Sequence, residues 1–433
     1  YSSFTRRFPV HDPIVWQAVT EAEPHHILQN TRVLRDTPTL PKVLREAGYH
    51  TGHVGKWHSN WETDLGPDEH AGKLGPEHDY FDPDVQRRLQ HIYDARLRTV
   101  IESTGVHEAG ALSWGNIGAA NPPKPIRFHN VPWQTDRALD FLDRAASDRQ
   151  PFYLHLANTV PHGPDPSESL GHNHRYTFGG ILDHDPKGHP PDESVKQRLK
   201  EAGLPQTGRL SGINAGTVML DDQVGAILDR LRDLGIEENT LIVYTADHGI
   251  AGKGSCYLPG SHVPTLVRWP GKIAPETVIE EPVMHVDFVP TLLDAAGLET
   301  DRTDADGISL LPLLTEGAPT GRNKSFSDMG WTRSVAKGKF HYIAFRYPPQ
   351  AVDEMANGET DVAIDHNARY RGSFGDMNAR SRPHYFDPDQ LYDIENDPYE
   401  RNNLARDPDY QDVVNEMRTE LNSWLDTFER PFP

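Results

Sequence analysis

The feature that most constrains this chain is a repeated order: a helical segment, then a short apolar run, then a polar cluster. Thr39–Ala47 reads as a capped helix, with Pro41 in its first turn, apolar residues at 40, 43, 44 and 47, and Gly48 as its stop. Tyr49–Val54 follows as a strand. Asp136–Ala146 has helical spacing and precedes Phe152–Ala157, a second strand segment. Ile213–Leu234 is a long helix with Val218, Val224, Ile227, Leu228 and Leu231 on one side. It leads into Thr240–Thr245, which is nearly all β-branched or apolar and reads as a buried-type strand. Val263–Trp269 reads as another strand and Val286–Ala296 as another helix. Strands that alternate with helices predict an α/β fold with a mostly parallel central sheet, covered on both faces.

After Leu314 the pattern changes. Arg333–Val335 and Phe340–Phe345 read as short strands around the turn Lys337-Gly338, Gln390–Ile394 as another, and Asp409–Phe428 as a closing helix. This predicts a catalytic domain over 1–318 and a smaller C-terminal α+β domain over 319–433. Stretches 59–131 and 163–210 lack strong periodicity and read as long loops, which in compact domains usually carry function or are disordered.

A length of 433 residues suits one large α/β unit with an attached domain. The net charge of −21, from 43 basic and 64 acidic residues, argues against a nucleic-acid partner, which needs a basic footprint. No run approaches ~18 apolar residues, so no membrane span is expected. The single cysteine, Cys256, excludes an intrachain disulfide and a cysteine-rich zinc site. It reads as a packed small residue rather than a nucleophile. The histidine-rich segment Gly171–Arg175 reads as a solvated loop. The sequence does not set the oligomeric state.

Three polar clusters stand directly after predicted strands. They are Gly55-Lys56-Trp57-His58, Pro161-His162-Gly163, and Asp247-His248-Gly249 with Lys253 a few residues on. In open parallel sheets, ligands bind at the carboxyl ends of the strands, so the three are expected to converge. Asp247 and His248 are adjacent and suit a divalent cation. Calcium would need more oxygen ligands, and manganese or zinc at least one or two more groups. Lys56 and Lys253 offer positive charge to an anionic group, and His58 and His162 can exchange protons near neutral pH. The set suits hydrolysis of a charged oxyester, such as a sulfate or phosphate ester.

The same residues carry a family resemblance. Gly48-Tyr-His-Thr-Gly-His-Val-Gly-Lys-Trp-His58 closely resembles a signature of the type I, formylglycine-dependent sulfatases of the alkaline phosphatase superfamily. Leu241–Gly249 is similar to their metal-binding strand and turn. Lys253-Gly-Ser-Cys-Tyr257, Val263–Gly271, Val286–Gly297, Asp306–Leu314 and Leu391–Pro398 with Asn402–Ala405 are similar to later parts of that family, in order. The chain departs at its start. Tyr1-Ser-Ser-Phe-Thr-Arg-Arg-Phe-Pro9 resembles the stretch that follows the family's Cys-x-Pro/Ala-Ser-Arg motif, with Arg6 where glycine is usual. The chain is therefore expected to begin just after the nucleophile motif, to lack the first strand with its paired metal-binding aspartates, and to be inactive alone. Asp221-Asp222 is not assigned in their place, because it falls in a helix.

The resemblance implies an alkaline-phosphatase-like fold and a sulfuric ester hydrolase acting on a sulfated carbohydrate or aryl ester. It implies a formylglycine hydrate that attacks sulfur, and one divalent metal held partly by Asp247 and His248. Calcium is favoured, while the imidazole of His248 suits manganese. Lys56 and Lys253 would bind the sulfate charge, His162 would protonate the leaving oxygen, and His58 would help release sulfate. A periplasmic or secreted location is implied. The alternatives are a phosphonate monoester or phosphodiester hydrolase of the same superfamily, or a catalytically incomplete fragment.

Overall fold

The computed structural model describes residues 38–57, 74–205, 209–249, 251–253, 255–303, 305–329, 332–346 and 381–427. Two compact units divide at Thr240/Leu241. His58 and Tyr1–Pro9 lie outside the described residues. No helix among the described residues is long and apolar enough to cross a membrane.

The first unit is built on a parallel three-stranded sheet of order β2-β1-β3. Helix α1 (Leu40–Glu46) starts at Thr39, whose side chain accepts from Lys42 N, and buries Leu40, Val43 and Leu44. After Gly48, at φ +90°, the chain enters β1 (His50–Trp57), which runs past the predicted strand end at Val54. The aperiodic stretch 59–131 holds, among its described residues, two long elements that its sequence did not announce, besides short helical turns at Ile117–Ala120 and Lys124–Ile126. One is the 22-residue helix α2 (Pro83–Thr104), capped by Asp82 and closed by Gly105 in the left-handed region; the other is strand β2 (Glu108–Trp114). Helix α3 (Val131–Asp148) follows, then β3 (Phe152–Ala157).

Helix α3 covers the sheet with Ala138, Phe141, Leu142 and Ala145, all fully buried. Contact is closest where β1 has no side chain: a Cβ on Gly52 would lie 2.4 Å from the Phe141 ring. Helices α4 (Asp192–Glu201) and α5 (Arg209–Asp233) pack together through Val195, Leu199, Ala215 and Met219. Asp222 is taken up in an ion pair with Arg198, which accounts for one of the two helical aspartates. The Gly171–Arg175 segment is a loop exposed at Gly171, His172 and Asn173, yet it is anchored to the fold. His172 stacks on Phe128 at 4.5 Å, and His174 Nε2 lies 3.1 Å from the Asp192 carboxylate.

The second unit opens with β4 (Ile242–Thr245) paired antiparallel to β5 (Thr265–Arg268). The apolar run at 240–245 predicts a strand, but it cannot name the partner, and here the partner is the next strand in sequence. Tyr244 is 38% exposed and Leu266 67% exposed, so the pair is not the fully covered element that composition suggested. Helix α6 (Phe288–Ala295) is preceded by buried Asp287, whose carboxylate accepts from Met284 N, Ile308 N and the Arg322 guanidinium.

The rest of this unit is an antiparallel sheet of order β9-β8-β7-β6, with β6 Lys324–Met329, β7 Thr332–Lys337, β8 Phe340–Phe345 and β9 Asp389–Asp393. Alternate residues of β8 serve opposite faces, as a period of two requires. Tyr342 and Ala344 meet Val414, Met417 and Leu421 of the closing helix α7 (Gln411–Leu425). Ile343 and Phe345 meet Cys256, Tyr257 and Tyr385. Cys256 is buried there, and burial pushes its thiol up to about 12, so it is a packed residue and not a nucleophile.

The Gly52–Phe141 contact leaves no room for a methyl group. Gly52→Ala is expected to lower unfolding stability by about 1–3 kcal/mol through overpacking. Leu266→Ala, at an exposed position, should stay within about 0.5 kcal/mol. Denaturant unfolding of both variants checks this; equal stabilities would contradict it.

Candidate active site

In the first unit, the site residues stand at the carboxyl edge of the parallel sheet. Lys56 was expected in a turn after β1. It lies inside the strand instead, at an irregularity that re-aims the chain. Pairing with β2 steps from Val54↔Gly110 to Lys56↔Ser113, so β2 carries one extra residue. Both strands bend there: Gly55 has φ +101° and Ala111 φ +45°. A Cβ on Gly55 would lie 2.0 Å from the Ala157 carbonyl oxygen, so only glycine fits.

A buried histidine supports this bend. His53 Nε2 is 3.2 Å from the Lys56 carbonyl, and His53 Nδ1 is 3.1 Å from His155 Nδ1. A carbonyl only accepts, so Nε2 of His53 carries the proton. Nδ1 then accepts from the Nδ1–H of His155. Burial, with His155 alongside, lowers the His53 pKa to about 3 and keeps the ring neutral. Its edge also packs on Trp57, with centroids 5.3 Å apart.

His162 follows β3 in the segment Thr159–Pro164. Its backbone N–H donates to the Thr159 carbonyl at 3.1 Å. Its ring Nδ1 lies 3.0 Å from the Gly163 carbonyl and must donate there, which leaves Nε2 as the ring nitrogen not committed to that bond. The fully buried His129 is the neighbour of both His162 and Lys56. Burial lowers its pKa to about 4, and the nearby His162 and Lys56 add to that. The charges of His162 and Lys56 thus both act on His129. Around the same strand ends, Trp57 Nε1, Asn116 Oδ1, Gln134 Oε1 and Asn158 Oδ1 are buried with no hydrogen-bond partner among the described residues. Unpaired buried polar atoms are costly and are commonly kept where a polar ligand binds.

In the second unit, Asp247, His248 and Lys253 stand after β4. Asp247 Oδ1 accepts from His248 N at 3.1 Å. His248 Nδ1 is 2.8 Å from the Gly249 carbonyl and donates to it, which leaves the Nε2 lone pair 3.5 Å from Asp247 Oδ2. The donor set, one carboxylate and one imidazole lone pair side by side, fits part of a divalent cation's shell. It is only part: among the described residues no group of three or more His, Cys, Asp or Glu is placed to hold a metal. The turn is rigid. Gly249 N donates to the Gly260 carbonyl, and a Cβ on Gly249 would lie 2.1 Å from the Pro259 oxygen. Burial lowers the Lys253 pKa, opposed by the charge of Asp247.

Sequence reading missed four histidines: His53, His129, His155 and His285. His285, whose Nε2 is 3.4 Å from Thr245 Oγ1, is held down by burial and opposed by Asp247. None has a local signal. A histidine held between a donor and an acceptor looks, in sequence, like any other.

A family model described as Sulfatase matches residues 2–298. An ulvan-active sulfatase of Formosa agariphila is 30% identical over 207 residues, 45% of this chain and 39% of that protein. The chain spans less than half the length of the curated relatives it first matches. Among solved structures, the phosphonate monoester hydrolase SpPMH from Silicibacter pomeroyi aligns with TM-score 0.54 and 20% identity, over 93% of this chain and 82% of that one. A protein in complex with its substrate D-glucosamine-2-N,6-O-disulfate aligns with TM-score 0.50 and 20% identity, over 90% of this chain and 83% of that one.

The two buried neutral rings make stability depend on pH. His53 and His129 stay neutral in the fold down to about 3 and about 4, but take up protons near 6.5 once unfolded. The unfolded state then binds more protons, so stability falls as pH drops from about 6.5 toward about 4. Each ring contributes up to about 1.4 kcal/mol per pH unit. Denaturant unfolding from pH 7 to 4.5 should show this fall, and His53→Phe should flatten it by about one proton. An unchanged slope in the variant would contradict the assignment.

Proposed function

Because the chain belongs to the sulfatase family, we propose that it carries the hydrolytic residues of a sulfuric ester hydrolase. One observation supports this most: the bend at Gly55 brings Lys56 to the carboxyl edge of the parallel sheet, the edge that the His162 segment follows, and the charges of both residues act on the buried His129. A cation and an imidazole at that edge are what a charged ester needs. Lys56 and Lys253 are each proposed to offer positive charge to the negative sulfate oxygens, an attraction that is worth more in a site from which water is excluded. His162, with Nδ1–H committed to Gly163, would deliver a proton from Nε2 to the leaving oxygen. His58 is proposed to assist sulfate release.

Asp247 and His248 would hold a divalent cation, calcium in the first instance and manganese as the alternative. When bound, it supplies positive charge to the sulfate oxygens. Cys256 does not fit as the precursor of a formylglycine. It is buried with its thiol pushed up to about 12, and it lies outside any Cys-x-Pro/Ala-Ser-Arg sequence. A formylglycine nucleophile, if the protein uses one, is not made from this residue.

The proposed substrate is a sulfated carbohydrate. The ulvan-active relative and the neighbour solved with a disulfated glucosamine support that class. Sulfated polysaccharides lie outside cells, which supports a periplasmic or secreted location. The phosphonate monoester hydrolase among the structural neighbours supports a second reading, in which the same cationic centre acts on a phosphonate ester.

The test uses the protein in its full encoded length. It should hydrolyse 4-nitrophenyl sulfate faster than 4-nitrophenyl phenylphosphonate. Lys56→Ala should lower kcat/KM about 10²-fold or more. A chelator should lower activity, and added calcium or manganese should restore it. A strong preference for the phosphonate would favour the second reading, and full activity in Lys56→Ala would remove the role given to this lysine.

A further inference from the structure

We propose that His129 is a positioning residue for the leaving-group acid: it ties together the two ends of the Thr159–Pro164 segment and so sets the direction of the His162 ring. This rests on the reading of His162 as that acid. His129 lies just before α3 and is fully buried, so it cannot touch a substrate itself. Its backbone N–H donates to Ser169 Oγ at 2.9 Å, which fixes the residue from one side. Its ring Nε2 is 2.9 Å from the Pro164 carbonyl, and its Nδ1 is 2.8 Å from Thr159 Oγ1.

The chemistry of these partners fixes the tautomer. The Pro164 carbonyl can only accept, so Nε2 bears the proton, and Nδ1 accepts from the Thr159 hydroxyl. One neutral ring therefore spans the start and the end of the segment whose apex is His162. The apex is tied to the same start, because His162 N donates to the Thr159 carbonyl at 3.1 Å. Helix α5 backs the segment from another side. A Cβ on Gly216 would lie 3.2 Å from Pro161 Cα, and one on Gly212 would lie 2.1 Å from Asp165 Oδ1. The segment is thus clamped, and the part of the clamp with chemical direction is His129. Protonating His129 would cost it the Thr159 bond and set a cation beside His162 and Lys56. Burial and those two neighbours hold its pKa at about 4, so the ring stays neutral under ordinary conditions. An acid displaced by about 1 Å can lose about 10²-fold in rate.

The experiment exploits the leaving group. An alkyl alcohol needs a proton as it departs, whereas 4-nitrophenolate departs without one. In the full-length protein, His129→Phe should lower kcat for an alkyl sulfate at least 10-fold more than for 4-nitrophenyl sulfate, the same selectivity expected of His162→Ala. His129→Gln should recover several-fold of that loss, since its amide can donate to Pro164 and accept from Thr159. Equal losses on both substrates, or none, would overturn the proposal. A second readout needs no turnover. In ¹⁵N NMR of the ring nitrogens, His129 should appear as the neutral Nε2–H form to about pH 5, and the His162 ring signals should move in His129→Gln. An Nδ1–H form, or His162 signals that stay in place, would overturn it. A wild-type protein that hydrolyses no sulfate ester would remove the functional reading, and the NMR result would still decide the role of His129.

Discussion

The first unit depends on how closely its neighbours approach β1. This central strand is bare at two points. Gly52 admits the Phe141 ring of α3, and Gly55 admits the Ala157 carbonyl of β3. The first contact lets a helix lie tightly on the sheet and supplies the dense apolar packing that holds the layers. The second lets the strand bend without pulling away from β3, whose pairing runs without a shift from His50↔Phe152 to Gly55↔Ala157. The bend is absorbed on the other side, where β2 carries the extra residue. Packing and chemistry are linked here: the geometry that closes the core also turns Lys56 to the edge of the sheet.

Buried histidines then hold what the bend creates. His53 fixes the Lys56 carbonyl, and His129 fixes the segment that carries His162. Both rings serve as neutral connectors with a donor and an acceptor in defined directions, a role that a lysine or a carboxylate cannot fill without bringing in charge. This matters at the edge that carries Lys56. The chain carries a net charge of −21, which repels anions at long range. The local positive charge of Lys56 has to act against that background, and neutral supports leave it undiluted.

Much of the fold was legible in the sequence, for identifiable reasons. Helix α1 had its threonine cap and proline start, α3 and α5 had clear apolar stripes, β3 had a compact apolar run, and β1 followed the glycine stop of α1. Helix α2 was missed because charged and polar residues are interspersed along it, and its buried face mixes Val85, Leu89, Ala95 and Val100 with the polar Thr99, Ser103 and Thr104. Strand β2 was missed because Glu108-Ala-Gly-Ala-Leu-Ser-Trp114 is short of β-branched residues. The antiparallel pairing of β4 with the next strand was not legible, because an apolar run marks a strand but not its partner or its direction. Among the candidate site residues, His162, Asp247 and His248 were legible as polar residues after strands, whereas Lys56 falls inside β1. Their supporting histidines were not, because the carbonyls and hydroxyls that give those rings meaning come from other elements.

The central claim is that Lys56 and His162 act on one ester group, the lysine on its charge and the histidine on its leaving oxygen. A double-mutant cycle tests this most directly, with kcat/KM for an alkyl sulfate measured in Lys56→Ala, His162→Ala and the double variant of the full-length protein. Residues that stabilise the same transition state are coupled, so the account predicts that the double variant loses clearly less than the product of the two single losses. Losses that multiply would contradict it.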